Sequence, residues 1–203
     1  MDPSAALKTA LVLLGAYLLG CLATGYYLVR FRAAQDIRQT GSGSSGATNV
    51  ARVLGWRGFL ITLSLDAGKG ALAVFLAPHA ELGFWAAWAT LIAVVVGHVW
   101  PVQLRFRGGK GAGTYLGGLV TLDWRIALML VPLGICGYAV VRQFTLAGLI
   151  AIALLPVTLG ILGYPLPAVG GSVALAVLLV LAHRANIRGW RRQIRLDEGL
   201  STE

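Results

Sequence analysis

Long apolar segments dominate the chain and constrain its fold more than any other feature. A transmembrane helix needs about 20 mainly apolar residues, because the hydrocarbon core is about 30 Å thick and a helix rises about 1.5 Å per residue. The pattern predicts an all-α integral membrane protein with about seven transmembrane helices. The apolar runs are 7–29, 59–77, 84–104, 112–124, 126–141, 144–162 and 168–182.

The composition excludes a soluble globular protein. Only 12% of the residues are charged, whereas a soluble domain carries about 25% and uses them to cover its surface. Short links between the runs leave room for one domain, so we expect a single polytopic membrane domain over residues 1–203. The run 112–124 is short for a span, and both a full crossing and a re-entrant helix are compatible with it.

The positive charge lies on one side of the predicted topology. In a soluble protein the net charge of +9 would indicate a nucleic-acid partner. In this chain, seven crossings from an outside N-terminus place 15 of the 17 Lys and Arg residues on the inner side of the membrane. Only Lys8 and Arg125 fall on the outer side. Because basic loops stay in the cytoplasm, we predict an outside N-terminus, a cytoplasmic C-terminus and no nucleic-acid partner.

Several kinds of site are missing from the sequence. Cys21 and Cys136 both lie in apolar runs, which indicates reduced thiols and no disulfide. No carboxylate cluster suits a catalytic magnesium ion, and no G-x-S-x-G serine elbow occurs. We therefore expect no metal and no cofactor. The sequence also shows no internal repeat, which argues against the usual architecture of a transporter with two similar halves.

Two polar segments rich in glycine are candidates for binding a phosphate. The first resembles a dinucleotide fingerprint, but it follows a membrane helix instead of a strand, so that interpretation fails. Glycines still allow backbone N–H groups to surround an anion, and neighbouring polar side chains add donors. A flexible connector and a basic topology loop are the alternatives. The candidate donors are Ser42, Gly43, Thr48, Asn49 and Arg52 in the first segment, and Gly108, Gly109 and Lys110 in the second.

A third motif and three ionisable residues inside apolar runs complete the candidates. His183 and Asn186, at the end of the last run, would share one helix face at a spacing of three residues. Asp66 and Lys69 lie one turn apart, where buried charges usually pair or face a cavity. His98 lies near the end of another run. A purely structural role remains open for these last three.

The three motifs in this order resemble the bacterial acyl-phosphate–glycerol-3-phosphate acyltransferases (the PlsY family). The resemblance extends from Gly25 to Ile187. The chain departs from the family pattern at Ser44 and Ser45, in the basic run around Arg195, and in the Thr145 region, where the family often shows serine. The matching residues are Gly41–Val50, Gly97–Val102 with Gly108–Gly111, and His183–Ile187.

The resemblance implies a monomeric enzyme of the bacterial inner membrane whose active site faces the cytoplasm. It would move an acyl chain from acyl phosphate to glycerol 3-phosphate, without a metal or a covalent acyl-enzyme. His183, Asn186 and Lys110 would be catalytic, and the glycine-rich segments would bind substrate phosphate. Asp66, Lys69, His98 and Thr145 would have supporting roles. A small membrane carrier of phosphate or organophosphate is the alternative.

Overall fold

The computed structural model describes residues 3–77 and 83–197. All regular secondary structure in these ranges is helical, which confirms the predicted all-α class. Two short 3-10 turns, Ile37–Gln39 and Val102–Leu104, lie in the loops. The helices are α1 Pro3–Gly20, α2 Thr24–Ala33, α3 Ala47–Leu76, α4 Gly83–Val99, α5 Ala112–Leu122, α6 Trp124–Val141, α7 Phe144–Ile161, α8 Leu166–Ala182 and α9 Arg184–Asp197.

The chain divides into two compact units, Met1–Ala127 and Leu128–Glu203. In the first unit, α3 packs against α5, α4, α2 and α1, and α1 also packs against α4. In the second unit, α7 packs against α8, and α9 contacts both. The single domain expected from the sequence stays a prediction.

Backbone breaks shape the first unit. The run 7–29 forms two helices, because the chain leaves helical geometry at residues 21–23. This break exposes two carbonyl groups: the Leu22 oxygen accepts a hydrogen bond from Lys69 Nζ (2.7 Å), and the Cys21 oxygen accepts one from Gln103 Nε2. In α3, Gly55 has φ +64° and ψ −163°, so residues 47–54 form a separate helical segment before a kink.

Glycines let α5 lie directly against α3. A Cβ atom at Gly70 would overlap the carbonyl oxygen of Thr114, and one at Gly117 would overlap the carbonyl oxygen of Ala67. Such backbone contact brings small residues of two helices together, as is common where membrane helices pack. Because α5 has only 11 residues, it is about 17 Å long and too short to cross a bilayer by itself.

Within the described ranges, five helical stretches are long and apolar enough to cross a membrane, or six if α8 and the following bent segment form one span. Exposed leucines form a stripe along α1 at Leu7, Leu11, Leu14 and Leu18. Their spacing places them on one helix face, which suits contact with lipid tails. The predicted number of seven crossings and the orientation of the termini stay predictions.

Candidate functional site

The two glycine-rich segments meet within the first unit. The N–H of Ser45 donates a hydrogen bond to the Gly108 oxygen (3.2 Å), and Arg38 Nη1 donates to the Leu104 oxygen (3.0 Å). These bonds connect residues 33–46 to residues 100–111. The two predicted phosphate-binding segments are therefore parts of one polar surface.

Asn49 holds the first segment in shape. Its Nδ2 group donates to the carbonyl oxygens of Thr40 and Ser44, both at 2.9 Å, and to that of Ile37 at 3.2 Å. Its Oδ1 atom accepts from the Ser42 N–H (3.0 Å) and from Arg52 Nη1 (3.3 Å). Asn49 is buried, so its observed role is to organise the loop and orient Arg52. Its predicted contact with phosphate stays a prediction.

Three predicted phosphate ligands present exposed side chains around this loop: Ser42, Thr48 and Arg52. Thr48 and Arg52 lie on the first segment of α3, although in the sequence they belong to a polar segment that precedes the apolar run 59–77. No glycine or proline interrupts residues 47–54, so the chain can enter a helix directly after Gly46. Thr48 therefore lies in the first turn, where helix amide groups and the positive end of the dipole favour an anion.

Lys110 lies directly before α5, where Gly111 adopts φ +86° as the residue preceding the helix. The lysine side chain is half-buried. Burial lowers the pKa of Lys110 below its ordinary value, and the positive charge of Arg52 lowers it further. Two cations from different segments thus lie close enough to repel each other. An anion bound between them would remove that repulsion.

The predicted glycine ligands use their N–H groups within the protein. Gly43 donates to the Thr40 oxygen (3.0 Å), Gly108 to the Val99 oxygen (3.1 Å) and Gly109 to the His98 oxygen (3.0 Å). In this structure these amides shape the loops instead of pointing at an open site. A phosphate contact at any of them stays a prediction.

Asp66, Lys69 and His98 are buried close to one another, and the His98 oxygen accepts a hydrogen bond from Gly109 of the second segment. Lys69 Nζ lies 3.0 Å from Asp66 Oδ1, and His98 Nδ1 lies 3.6 Å from the same oxygen. Lys69 and Asp66 form an ion pair, but their contact does not have the geometry of a hydrogen bond. Of the two alternatives that the sequence left open, pairing or facing a cavity, the structure shows the pairing of Asp66 with Lys69.

The third motif belongs to the second unit. Here α8 ends at Ala182, and α9 starts at Arg184 after a bend of 56°. His183 therefore lies between the two helices, and the Asn186 N–H donates to its carbonyl oxygen at 2.8 Å. The predicted shared face of the two side chains stays a prediction. The bend is stabilised at His183, whose Nδ1–H donates to the Leu179 oxygen at 2.8 Å. A carbonyl can only accept, so the lone pair of the neutral ring is on Nε2.

Thr145 lies in the first turn of α7, also in the second unit. Gln143, the residue before this helix, caps its N-terminus: Gln143 Oε1 accepts a hydrogen bond from the Leu146 N–H (3.1 Å). The supporting role suggested for Thr145 stays a prediction.

Sequence reasoning missed the pair Asp36 and Arg38. The guanidinium contacts both carboxylate oxygens of Asp36 and lies over the ring of Tyr26, at 5.0 Å from its centre. The hydrogen bonds from Arg38 hold the pKa of Asp36 below its ordinary value. An acidic residue and an arginine two positions apart are common in loops. The sequence therefore did not indicate that Arg38 also bonds to the Leu104 oxygen of the second segment.

Among residues 3–77 and 83–197, no group of three His, Cys, Asp or Glu side chains is arranged to hold a metal ion. The polar surface described above consists of hydroxyl, amide and cationic donors, which suit an anion.

Comparison with known proteins agrees with this surface. Residues 10–193 match the family described as glycerol-3-phosphate acyltransferase. The chain belongs to that family. It is 48% identical to glycerol-3-phosphate acyltransferase 1 of Desulfitobacterium hafniense (strain Y51), over 87% of this chain and 88% of the relative. It is 46% identical to the glycerol-3-phosphate acyltransferase of Jannaschia sp. (strain CCS1), over 91% and 90%.

Two solved structures of PlsY (YgiH), an integral membrane glycerol 3-phosphate acyltransferase, share the fold. The glycerol 3-phosphate form has a TM-score of 0.80 and 30% identity, and the lysophosphatidic acid form has 0.77 and 29%. Both matches cover 96% of this chain and 94% of the other chain. The predicted family and the predicted integral membrane fold are confirmed. The chain is thus a membrane acyltransferase of the glycerol-3-phosphate acyltransferase family.

Proposed function

We propose that the chain transfers an acyl group from acyl phosphate to glycerol 3-phosphate, releasing 1-acylglycerol 3-phosphate and inorganic phosphate. The observation that carries this proposal is that the positive charge of Arg52, at the start of α3, acts on the half-buried Lys110, while the Ser45–Gly108 hydrogen bond joins the two segments that contain them. A like-charged pair that includes a half-buried lysine favours an anionic ligand. Both proposed substrates carry phosphate, and the similar protein PlsY (YgiH) was solved in a glycerol 3-phosphate form and in a lysophosphatidic acid form.

The proposed reaction needs little chemistry from the protein. A hydroxyl oxygen of glycerol 3-phosphate attacks the carbonyl carbon of acyl phosphate, and the bond from that carbon to the phosphate oxygen breaks. The hydroxyl proton leaves to the departing phosphate or to a protein base. Because acyl phosphate is already an activated anhydride, neither a covalent acyl-enzyme nor a metal is required. Orientation and fixed positive charge can supply much of the rate enhancement.

Residue roles follow from chemistry and from the family resemblance. Lys110, Arg52, Ser42 and Thr48 would bind substrate phosphate, while Asn49 keeps the loop in the required shape. His183 and Asn186 would orient the glycerol or the leaving phosphate. The lone pair on His183 Nε2, which follows from its Nδ1–H bond to Leu179, is compatible with accepting the hydroxyl proton.

We further propose that the enzyme works as a monomer in the bacterial inner membrane, with its phosphate site facing the cytoplasm. The distribution of Lys and Arg in the sequence supports this orientation. Glycerol 3-phosphate would reach the site from the cytoplasm, and the acyl chain would remain in the bilayer.

A donor comparison tests the proposal. Purified protein is given radiolabelled glycerol 3-phosphate with palmitoyl phosphate, palmitoyl coenzyme A or palmitoyl acyl carrier protein, each with and without EDTA. We expect lysophosphatidic acid and phosphate in equal amounts from palmitoyl phosphate alone, with no effect of EDTA. Product from a thioester only would refute the acyl-phosphate donor. Counterflow of phosphate in vesicles without acyl transfer would favour the carrier.

A further inference from the structure

Four polar side chains form a buried cluster behind the Lys110 loop. Asp66 is 3% exposed, Lys69 6%, His98 5% and Thr114 0%. They come from three helices, α3, α4 and α5. Ionisable groups inside a membrane protein are costly and persist where a specific arrangement needs them.

The contacts of this cluster run from the α1–α2 break to the start of α5. Lys69 donates to the Leu22 oxygen and pairs with Asp66, whose carboxylate faces His98. The same ring nitrogen, His98 Nδ1, also lies 3.2 Å from Thr114 Oγ1. Thr114 is in the first turn of α5, four residues after Lys110. The imidazole therefore links the carboxylate of α3 to the helix that Lys110 precedes.

The same histidine supports the Lys110 loop directly. Gly109, the residue before Lys110, donates its N–H to the His98 oxygen, and Gly108 donates to the Val99 oxygen. A Cβ atom at Gly109 would overlap the imidazole, and one at Gly108 would overlap the His98 oxygen and the ring of Pro101. The loop thus lies on His98 without intervening side-chain atoms, so the position of the ring determines where the loop can be.

Stability alone is a weak explanation for this arrangement. A buried ion pair is often no more stabilising than well-packed apolar side chains, because desolvation offsets the attraction. Its geometric effect is stronger, since one ion pair and two contacts of His98 place α3, α4 and the start of α5 at fixed separations. We propose that Asp66, Lys69 and His98 are positioning residues that hold the Lys110 ammonium in place for a substrate phosphate. This step rests on the proposed phosphate-binding role of Lys110.

The lysines of the chain provide a direct readout of loop position. There are three: Lys8, which is exposed, Lys69, which is buried, and Lys110, which is half-buried. The test measures how fast an amine-acetylating reagent modifies Lys110 relative to Lys8, by peptide mass spectrometry on the full-length protein in detergent. The variants are His98→Asn and the charge-neutral double variant Asp66→Asn/Lys69→Met, since removing both charges together leaves no unpaired ion. Thr90→Val is the matched control, because Thr90 is buried in the same helix as His98 but bonds only within that helix, to the Ala86 oxygen.

We expect each network variant to raise the Lys110-to-Lys8 modification ratio about threefold or more. We also expect kcat/KM for glycerol 3-phosphate to fall about 10- to 100-fold per folded enzyme, as a displacement of about 1 Å can cause. Thr90→Val should change neither quantity. Lost activity with an unchanged modification ratio would overturn the positioning role, and so would unchanged values of both. If Lys110→Met kept full activity, the assignment of Lys110 to phosphate binding would fail. The modification ratio in the His98 and Asp66/Lys69 variants, which keep Lys110, would still report the position of the loop.

Discussion

Removing Lys110 and Arg52 separately and together tests whether they hold the same phosphate. A hydrogen bond to a charged group contributes about 1.5–3 kcal/mol. Lys110 is half-buried, so its loss should lie near the upper value, which corresponds to about a 150-fold decrease in kcat/KM for Lys110→Met. Arg52 is exposed and screened by water, so Arg52→Gln should cost about tenfold.

The double variant carries the discriminating information. If both side chains contact one phosphate, the combined loss should be clearly smaller than the product of the two single losses, because neighbouring residues with a shared partner are not additive. Lysophosphatidic acid formation at varied glycerol 3-phosphate gives kcat/KM, and Arg57→Gln is the control, since it removes another exposed arginine of α3 that lies over Trp56. Strictly additive losses, or an equal loss in the control, would refute a shared phosphate site.

Three further outcomes follow from the geometry. Arg52→Gln should raise the pKa of Lys110, because the neighbouring positive charge is removed, while burial still keeps this pKa below its ordinary value. The midpoint of Lys110 acetylation measured against pH should therefore move upward. A downward shift would contradict the interaction of Arg52 with Lys110. Asn49→Ala should lower the thermal midpoint by about 5 °C, since buried carbonyl groups lose their donor. Gly109→Ala should reduce activity about 100-fold through overlap with the imidazole behind it, while Gly15→Ala, which meets no atom within 4 Å, should be near normal.

Sequence patterns predicted most of the fold because a bilayer allows few solutions. Apolar runs of sufficient length must be helical there, and the runs 126–141 and 144–162 correspond closely to α6 and α7. The start of α3 was missed. The apolar run starts only at residue 59, yet the helix begins at Ala47 and Gly55 only kinks it.

The identity of the site residues was easier to predict than their contacts. A glycine-rich segment with Arg52 and another with Lys110 indicated anion binding, but nothing in their spacing showed that the two segments touch. That contact depends on Ser45 meeting Gly108 and on Arg38 reaching Leu104, both of which are long-range pairings. The bend at His183 was also hidden, because neither glycine nor proline marks it.

A crystal structure with glycerol 3-phosphate bound would show which side chains hold the substrate phosphate. We predict phosphate oxygens within about 3 Å of Lys110 Nζ and of the Arg52 guanidinium, with the Ser42 and Thr48 hydroxyls beside them. A phosphate bound elsewhere, with Lys110 and Arg52 both out of hydrogen-bond reach, would rule out a phosphate site formed by these two residues.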